Sequence, residues 1–364
     1  MTEAQQRRSV LWASTSRHTR GGVSSVVNAL LDTDLSREWD ITHVSTHTDG
    51  SALRKVAVFV VGAARFAWLL VARRPALVHI HMASYGSFVR KSVLVWSCRV
   101  VRVPVVLHVH GAEFHLFTAR APAAVRRYIG ATVGAAHVVV ALGADWAARL
   151  SVIAPDVRVV VVPNSVAARP AVEQSAHAGV VVLFLGRLGD RKGTFDVLRA
   201  WPQVVAGAPA GTRLVVAGDG EVARAQALVS QLGIADSVQV TGWVDPAAVT
   251  DLVDSAHVLV LPSHDEGQPM AVLEAMAAGL AVVTTRVGGI PDLLDDDSAR
   301  FVGVDDVESV TAGLRAVVED EALRTRLGAA AHARMARDFD RSVVWRQIDG
   351  LYREVLATPA AVAR

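Results

Sequence analysis

The residues best placed for chemistry follow one apolar run, HVLVLPS at 257–263. The next segment, HDEGQPMAVLEAMAAG at 264–279, carries Glu266 in a predicted loop and Glu274 in a predicted helix. Pro269 suits the first turn of that helix, where its missing N–H costs nothing. The unpaired amides of a helix N-terminus bind phosphate, and carboxylates accept hydrogen bonds from a sugar diol. The segment therefore predicts a site for a phosphorylated sugar, with an ordinary capped helix as the alternative.

Two cations follow another apolar run, VVVLFLG. The segment GRLGDRKG at 186–193 contains Arg187 and Lys192. A diphosphate leaving group needs its developing charge neutralised, and a paired arginine and lysine do this without a metal ion. The pattern indicates a diphosphate site, with a solvated turn as the alternative.

Three shorter motifs also follow apolar runs. The glycine pair that ends at Gly22 allows the backbone to approach a ligand closely. In HVHGAEF, His110 is a candidate partner for a sugar hydroxyl or a developing charge, and Glu113 is a candidate carboxylate on the acceptor side. In GDGE, Gly218 leaves room for a nucleotide base or diphosphate. Neither glycine motif is a Walker loop or a G-x-G-x-x-G loop, and a structural role is the alternative for each residue.

The segment VHIHMASYGSFVRK at 78–91 combines polar, aromatic and basic side chains. We expect it to bind a phosphorylated or lipid-linked acceptor, with a helix N-terminus and surface charge as the alternative. The candidate acceptor-binding residues in this segment are His81, Ser84, Tyr85, Arg90 and Lys91.

The elements that position these residues are short apolar runs separated by segments of helix length. Continuous β-branched runs are typical of strands buried on both faces, and helical spacers are typical of right-handed crossovers. Ligands of such sheets bind beyond the carboxyl ends of the strands, which is where the polar motifs occur. The predicted strands are 10–14, 41–45, 77–81, 105–109, 137–142, 157–163, 180–186, 213–218, 238–242, 257–263 and 280–285.

Composition agrees with two globular domains. The chain has 364 residues, of which 52% are apolar and 20% charged, and this excludes a disordered chain. The single cysteine, Cys98, excludes a disulfide scaffold and a multi-cysteine zinc site. The N-terminal MTEAQQRRSV has no apolar signal core behind it, so we expect a cytoplasmic protein. Arg65 interrupts the longest apolar stretch, 56–72, and this favours a buried or surface-lying helix over a membrane span.

The charge is uneven along the chain. Residues 1–165 carry 19 lysines and arginines against 9 acidic residues, a net charge of +10, whereas the remainder carries 18 against 26, a net charge of −8. The basic half indicates an anionic partner such as a membrane surface or a phosphorylated substrate, with a solvated basic face as the alternative. Aromatic residues make up only 5% and no binding motif accompanies the charge, so a nucleic-acid partner is not expected.

In combination, these motifs resemble the family-four retaining glycosyltransferases of the GT-B fold. The spacing of Glu266 and Glu274, with seven residues between them, matches the signature of that family. The resemblance covers nearly the whole chain and is most specific in Gly186–Gly193, His264–Gly279, VVPNSV (161–166) and VGGIPDLL (287–294).

The resemblance implies an α/β protein of two doubly wound parallel-sheet (Rossmann-like) domains that face a cleft. It implies an acceptor-side domain at 1–165, a nucleotide-sugar-binding domain at 166–340 and a final helix at 341–364 that crosses back to the N-terminal domain. The implied catalytic residues are Glu266, His110, Arg187 and Lys192. The implied donor-binding residues are Gly22, Arg187, Lys192, Gly218, Glu266, Gly267, Gln268, Pro269, Met270 and Glu274.

The implied reaction transfers a hexose from a nucleotide-diphosphate sugar with retention of configuration and without a metal ion or other cofactor. The sequence looks most like members that build bacterial exopolysaccharide, capsule or other cell-envelope glycans. We therefore expect a glycan or lipid-linked glycan acceptor and peripheral attachment to the inner face of the plasma membrane. Alternatives are a nucleotide-sugar epimerase or phosphorylase of the same fold and a non-catalytic nucleotide-sugar-binding partner; the missing dinucleotide loop argues against a dehydrogenase.

Two positions depart from the family pattern. The family often has Asn-Gly where this chain has Asn164-Ser165, and a left-handed Ser165 would be slightly strained. The residue that follows Glu266-Gly267 is often apolar, but here it is Gln268. A polar side chain at that position is expected to influence sugar choice.

Overall fold

The computed structural model describes residues 7–111, 113–174 and 179–357. The chain divides into two compact units. Unit 1 is Met1–Ser165 together with Arg341–Arg364, and unit 2 is Val166–Asp340.

Unit 1 contains a six-stranded sheet whose strands are all parallel, in the order β2-β1-β3-β4-β5-β6. The strands are β1 (Ser9–Ser14), β2 (Asp40–Ser45), β3 (Leu77–Met82), β4 (Val105–Val109), β5 (Val138–Ala141) and β6 (Val159–Val161). The helices of its first segment are α1 (Gly22–Leu31), α2 (Leu35–Glu38), α3 (Ala52–Ala72), α4 (Gly86–Val101), α5 (Phe114–Arg120), α6 (Ala123–Gly134) and α7 (Ala144–Ile153).

Unit 2 contains a second six-stranded parallel sheet, in the order β12-β11-β10-β7-β8-β9. Its strands are β7 (Val181–Leu185), β8 (Arg213–Ala217), β9 (Val238–Gly242), β10 (Val258–Leu261), β11 (Ala281–Thr285) and β12 (Arg300–Val302). Its helices are α8 (Thr194–Ala206), α9 (Val222–Leu232), α10 (Pro246–Asp254), α11 (Met270–Ala277), α12 (Ile290–Leu293), α13 (Val307–Glu319) and α14 (Glu321–Arg334), with a 3-10 turn at Asp190–Lys192 and a π-helical turn at Met335–Phe339.

The prediction of two doubly wound parallel sheets is confirmed, and every predicted strand is present within a few residues of its expected limits. The central strands are apolar throughout because helices cover both of their faces; β3 and β7 are buried along their whole length. The sequence analysis missed only β12, because Arg300–Val302 is an edge strand of three residues without a long apolar run.

The final helix, α15 (Arg341–Ala357), belongs to unit 1. The indole N–H of Trp12 on β1 donates a hydrogen bond to Tyr352 Oη at 3.0 Å, and both side chains are fully buried. Arg158, which directly precedes β6, forms an exposed ion pair with Glu354 of α15. The polar contact of Tyr352 anchors α15 to the face of the sheet that carries Trp12.

Ser165 does not have the left-handed backbone expected from the family pattern, so the expectation of strain there is wrong. In the described part of the chain, the non-glycine residues with positive φ are Arg74, Tyr85, Arg102 and Asp305. Asn164 and Ser165 are both buried, in an extended segment that precedes the isolated bridge between Val166 and Asp340.

Helix α3 is a surface helix. It is long and apolar enough to cross a membrane by length and composition, with a mean hydropathy of 1.9 over 18 residues, but it lies against the sheet of unit 1. A Cβ atom at Gly62 would lie 2.2 Å from the carbonyl oxygen of Ser45, so the absent side chain allows α3 to approach β2 closely. The residues that α3 buries are Gly62, Phe66, Leu69 and Leu70.

Candidate functional site

A buried ion pair lies at the carboxyl ends of β7 and β10 in unit 2. Lys192 Nζ donates a short hydrogen bond to Glu266 Oε1, and Ser263 Oγ donates to the same oxygen at 2.7 Å. The side chains of Lys192 and Glu266 are 14% and 5% exposed. The two motifs that the sequence analysis treated separately, 186–193 and 264–279, therefore share one polar centre.

Backbone contacts hold the Glu266 loop against the segment VGGIPDLL. A Cβ atom at Gly288 would lie 1.8 Å from the carbonyl oxygen of Glu266, and one at Gly289 would lie 2.0 Å from that of Gly267. Gly288 also has a φ of +51°, which favours glycine. Neither position tolerates a side chain without displacement of the loop.

A second contact joins the loop that contains Lys192 to the loop that contains Glu266. The backbone N–H of His264 donates to the carbonyl oxygen of Arg191 at 2.8 Å, and Arg191 Nη1 donates to the carbonyl oxygen of Asp265 at 3.0 Å. His264 Nε2 lies 3.1 Å from the carboxylate of Asp305. These contacts fix the relative position of the two loops.

Helix α11 begins at Met270, one residue later than predicted, because Pro269 has an extended backbone (φ −71°, ψ 123°) and caps the helix. The N–H groups of Met270 and Ala271 precede the first intrahelical hydrogen bond, which Val272 donates to Pro269. Burial raises the pKa of Glu274, one turn further along, to about 7. The helix start therefore presents amide donors, and a titratable carboxyl follows them.

The other residues predicted to bind the sugar donor differ in their burial and in their contacts. Arg187 is exposed, and its guanidinium has no hydrogen-bond partner among the described residues. A Cβ atom at Gly218 would lie 1.8 Å from the carbonyl oxygen of Gly186, so this glycine is needed for loop packing. Gly267 and Gln268 are buried, and Gln268, which is 6% exposed, takes part in a polar interaction.

Unit 1 has its own cavity of about 280 Å³ beyond the carboxyl ends of β1 and β3. The start of α1 at Gly22 lines it, together with Arg90 and Lys91 from α4. Lys91 is 2% exposed, so the alternative interpretation of this residue as a surface charge is wrong. Its burial, and then the charge of Arg90, lower the pKa of Lys91 to about 7. No hydrogen-bond partner is present for Lys91 among the described residues, so its ammonium group is available to an anion in the cavity.

His81 also lines this cavity, and His110, which follows the neighbouring strand β4, contacts His81. His81 Nδ1 and His110 Nε2 lie 2.8 Å apart. Burial lowers the pKa of His110 to about 3, so His110 is a neutral imidazole at physiological pH. It can accept or donate one hydrogen bond but does not supply a positive charge.

The other predicted acceptor residues lie nearby in the sequence but are less buried. Tyr85 is 49% exposed with a φ of +52°. Ser84 Oγ is buried and would lie 2.7 Å from a Cβ atom at Gly111. Glu113 caps α5 and is half-buried. The structure thus brings together His81, Arg90 and Lys91 around the cavity and gives Ser84, Tyr85 and Glu113 no shared contact.

Sequence reasoning missed Ser263, Gly288 and Gly289 as site residues. The serine is the last residue of the run HVLVLPS, and only its position three residues before Glu266 could have indicated the hydrogen bond between them. The two glycines occur in a segment that the resemblance quoted, but contact with the Glu266 loop depends on the fold. They act by allowing close backbone approach.

Comparison with known proteins finds similarity to glycosyltransferases. A family model described as "Glycosyl transferases group 1" matches residues 168–334. Phosphatidyl-myo-inositol mannosyltransferase of Mycolicibacterium smegmatis is 36% identical over 204 residues, which are 53% of this chain and 51% of that protein. The lipopolysaccharide core biosynthesis glycosyltransferase LpsE of Rhizobium meliloti is 31% identical over 166 residues, 45% of this chain and 47% of that protein. The chain spans about half the length of these curated relatives.

Solved structures share the fold over nearly the whole chain. Sucrose-phosphate synthase from Thermosynechococcus elongatus superposes with a TM-score of 0.79 at 17% identity, over 96% of this chain and 100% of that one. HepE from Anabaena, solved with UDP and glucose, has a TM-score of 0.74 at 16% identity with the same coverage. The two parallel sheets are therefore those of the GT-B fold. Residues 168–334 are similar to the group 1 glycosyltransferases.

Proposed function

We propose that this protein transfers a hexose from a nucleotide-diphosphate sugar to a glycan or lipid-linked glycan, with retention and without a metal ion, in bacterial exopolysaccharide, capsule or cell-envelope biosynthesis. The observation that carries the proposal is the buried contact of Lys192 with Glu266 beside the start of α11. The names of the relatives support it: they are mannosyl- and glycosyltransferases, including one of lipopolysaccharide core biosynthesis. The solved complex of HepE with UDP and glucose supports a nucleotide-sugar donor.

In the proposed donor site, cations and amides neutralise the diphosphate. Arg187 is free to swing onto it, and Lys192 shares its ammonium between Glu266 and a phosphate oxygen. Glu274 accepts hydrogen bonds from the ribose hydroxyls, while Glu266 and the amides near Met270 contact the sugar. The roles that the family resemblance implies for Gly22 and His110 remain predictions.

The proposed chemical step is front-face attack. The acceptor oxygen forms a bond to the anomeric carbon as the bond from that carbon to the diphosphate oxygen breaks. The departing phosphate oxygen takes the acceptor proton, so the nucleoside diphosphate leaves without a protein base. The protein then contributes orientation and charge stabilisation, which are the tasks of Lys192 and Arg187.

The cavity of unit 1 supports a phosphate-bearing acceptor. Its lining combines the start of α1, Arg90 and the buried Lys91. A phosphate that enters would hold Lys91 in its charged form, which burial otherwise disfavours. The attraction between the charged ammonium group of Lys91 and the phosphate would favour a phosphorylated acceptor over a neutral sugar.

The surface of α3 and α4 supports attachment to an anionic membrane. Both helices expose large apolar side chains between basic residues, an arrangement that suits a helix lying in a lipid interface. The exposed apolar residues are Leu53, Val56, Val60, Val61, Trp68 and Val71 on α3 and Val89, Val93 and Val100 on α4. The exposed basic residues next to them are Arg54, Lys55, Arg65, Arg73, Arg74, Arg99 and Arg102.

The test is a thermal-shift and donor-hydrolysis screen of the purified protein against UDP-, GDP-, ADP- and dTDP-sugars. We expect one donor to stabilise the protein and to be hydrolysed slowly, and Lys192→Ala to abolish both effects. Arg213→Ala is the matched control, since Arg213 is an exposed cation at the amino end of β8, away from the carboxyl ends of the strands.

Three results would count against the proposal or its assignment of residues. Donor binding without hydrolysis or transfer, even with a membrane extract as acceptor, would favour the non-catalytic partner. Conversion of the donor to its epimer without an acceptor would favour the epimerase. Equal responses of Lys192→Ala and the wild type would remove Lys192 from the donor site.

A further inference from the structure

We propose that His79, His81 and His108 of unit 1 bind one transition-metal ion of the zinc type. This ion is separate from the proposed transfer chemistry, which uses no metal, and it would be a structural constituent of the sheet of unit 1. The proposal does not depend on the function proposed above.

The strand register brings the three histidines together. His79 and His81 are alternate residues of β3 and project from the same face of the sheet, and His108 of β4 is directly paired with His81. All three side chains are at most 1% exposed. One ring nitrogen from each lies within 4.8 Å of the others.

Four ring nitrogens in this cluster are buried without a hydrogen-bond partner among the described residues. They are Nε2 of His79, Nε2 of His81 and both nitrogens of His108. A buried polar atom without a hydrogen-bond partner lowers the stability of the fold by about 1–3 kcal/mol, so the cluster without a metal ion is destabilising. An ion coordinated by one nitrogen of each ring would satisfy three of these atoms at once.

The opposite ring nitrogens of the two β3 histidines are held by other side chains. His79 Nδ1 lies 2.5 Å from Tyr352 Oη, and His81 Nδ1 lies 2.8 Å from His110 Nε2. Metal-binding histidines usually have their second nitrogen fixed in this way, which sets the ring orientation and leaves the other nitrogen free to coordinate. In both His79 and His81, the nitrogen left free to coordinate a metal ion is Nε2.

The type of ligand also suits a transition metal. A ligand set of imidazoles favours Zn²⁺, Cu²⁺ or Ni²⁺ over Mg²⁺ or Ca²⁺.

Coordination requires a modest rearrangement. The rings of His79 and His81 are stacked, with centroids 4.4 Å apart. Nitrogens bound to one tetrahedral Zn²⁺ are about 3.3 Å apart, whereas one nitrogen of each ring here lies within 4.8 Å of the others. Small rotations of the rings about their side-chain bonds, with the Nδ1 contacts of His79 and His81 kept, would bring the free nitrogens closer together.

The experiment uses the full chain without a polyhistidine tag, stripped of metal with a chelator. Zn²⁺ alone is titrated by calorimetry, and X-ray absorption of the zinc-loaded protein counts the imidazole ligands. We expect one equivalent bound by three imidazoles and a rise in melting temperature. His108→Gln should weaken Zn²⁺ binding by about 100-fold or more, and Tyr352→Phe by about 10-fold.

Control variants separate this cluster from other histidines. His264 forms a second group of potential ligands with Asp196 and Asp305 in unit 2, and His137 is an exposed histidine of unit 1 outside the cluster. His264→Asn and His137→Asn should leave Zn²⁺ stoichiometry and affinity unchanged. Circular dichroism in chelator establishes that each variant is folded.

Three results would overturn the proposal: less than about 0.1 equivalent of Zn²⁺ bound by the wild type, equal affinity of the wild type and a folded His108→Gln, or loss of binding in His264→Asn. If His108→Gln does not fold, X-ray absorption of the wild type decides, because fewer than two imidazoles around the zinc would contradict the assignment.

Discussion

Lys192 and Glu266 form a buried ion pair in which a single carboxylate oxygen of Glu266 accepts from both Lys192 Nζ and Ser263 Oγ. The pair joins the loop after β7 to the loop after β10 at the point where each strand ends. Buried pairs of this kind add little net stability, but the loss of one partner leaves an uncompensated charge. Such a pair instead fixes the geometry of the site, because each side chain orients the other toward an incoming ligand.

This pairing predicts strongly non-additive stabilities. Lys192→Met and Glu266→Gln should each lower the free energy of unfolding by about 2–4 kcal/mol, because each leaves the other group buried and unpaired. The double variant should recover most of that loss while it remains without donor hydrolysis. Urea unfolding of the four proteins measures the coupling energy.

The control for this cycle is the exposed pair of Arg315 and Glu319 on α13. Its removal should change the free energy of unfolding by less than about 1 kcal/mol. Additive losses at Lys192 and Glu266, with no recovery in the double variant, would contradict the coupling.

The contact of Gly288 with the Glu266 loop predicts a second effect. Gly288→Ala should lower the free energy of unfolding by about 2–3 kcal/mol and weaken donor binding, because its Cβ would lie 1.8 Å from the carbonyl oxygen of Glu266. Gly233→Ala is the matched control: Gly233 has a similar φ of +66° but no atom within 4 Å of its Cβ position. It should cost only about 1–2 kcal/mol and leave donor affinity unchanged.

If both glycine variants lost the same stability and kept the same affinity for the donor, the contact would have no role in the site. The measurements are thermal unfolding and donor titration by calorimetry.

The fold could be predicted from the sequence because the apolar runs of buried parallel strands are continuous and the polar motifs follow them directly. It also predicted that Lys192 and Glu266 belong to functional loops. It could not predict that they contact each other, since this depends on the adjacency of β7 and β10, whose residues are separated by two intervening strands in the chain.

The histidines of unit 1 illustrate a different limit. His81 and His110 were selected individually, but His79 and His108 were not, although the pairs H-x-H occur on two consecutive strands. Their juxtaposition follows from the register of β3 and β4, which places His81 opposite His108. The burial of Lys91 could not be predicted for a similar reason: the sequence does not show which face of its helix packs on the sheet.

Glu274 predicts a pH dependence. Its pKa in the folded state, about 7, lies above the ordinary value of 4.5, so the folded protein retains a proton that the unfolded chain releases. This contribution to stability is complete below pH 4.5 and is lost as the pH rises through 7, by up to about 3 kcal/mol. Glu274→Gln should therefore be relatively more stable at pH 8 than at pH 5, when urea unfolding is compared with that of the wild type.

The same titration should govern donor affinity. If the ribose hydroxyls donate to ionised Glu274, donor binding lowers the pKa of Glu274, and the affinity rises between pH 6 and pH 8. Glu274→Gln should abolish this rise, whereas Glu173→Gln, at an exposed position, should retain it. A donor affinity that is independent of pH in the wild type would contradict the assignment of Glu274 to the ribose.

The exposed apolar face of α3 and α4 predicts binding to anionic vesicles. Val56 and Trp68 are each 61% exposed, and burial of such a side chain in lipid contributes about 1.5–3 kcal/mol. Substitution of both by glutamate should weaken sedimentation with phosphatidylglycerol vesicles by at least about 100-fold and leave donor hydrolysis intact. Val152→Glu is the matched control, since Val152 is 84% exposed on α7, away from these two helices.

The charge contribution is tested separately. Reversal of Arg54 and Lys55 to glutamate should weaken binding to anionic vesicles at low salt, with a smaller effect at high salt, because each basic residue near the surface contributes about 1 kcal/mol. Binding to neutral phosphatidylcholine vesicles should change little. Equal binding of the wild type to both kinds of vesicle would exclude the electrostatic part of the attachment, and sedimentation unchanged by the Val56 and Trp68 substitutions would exclude the apolar part.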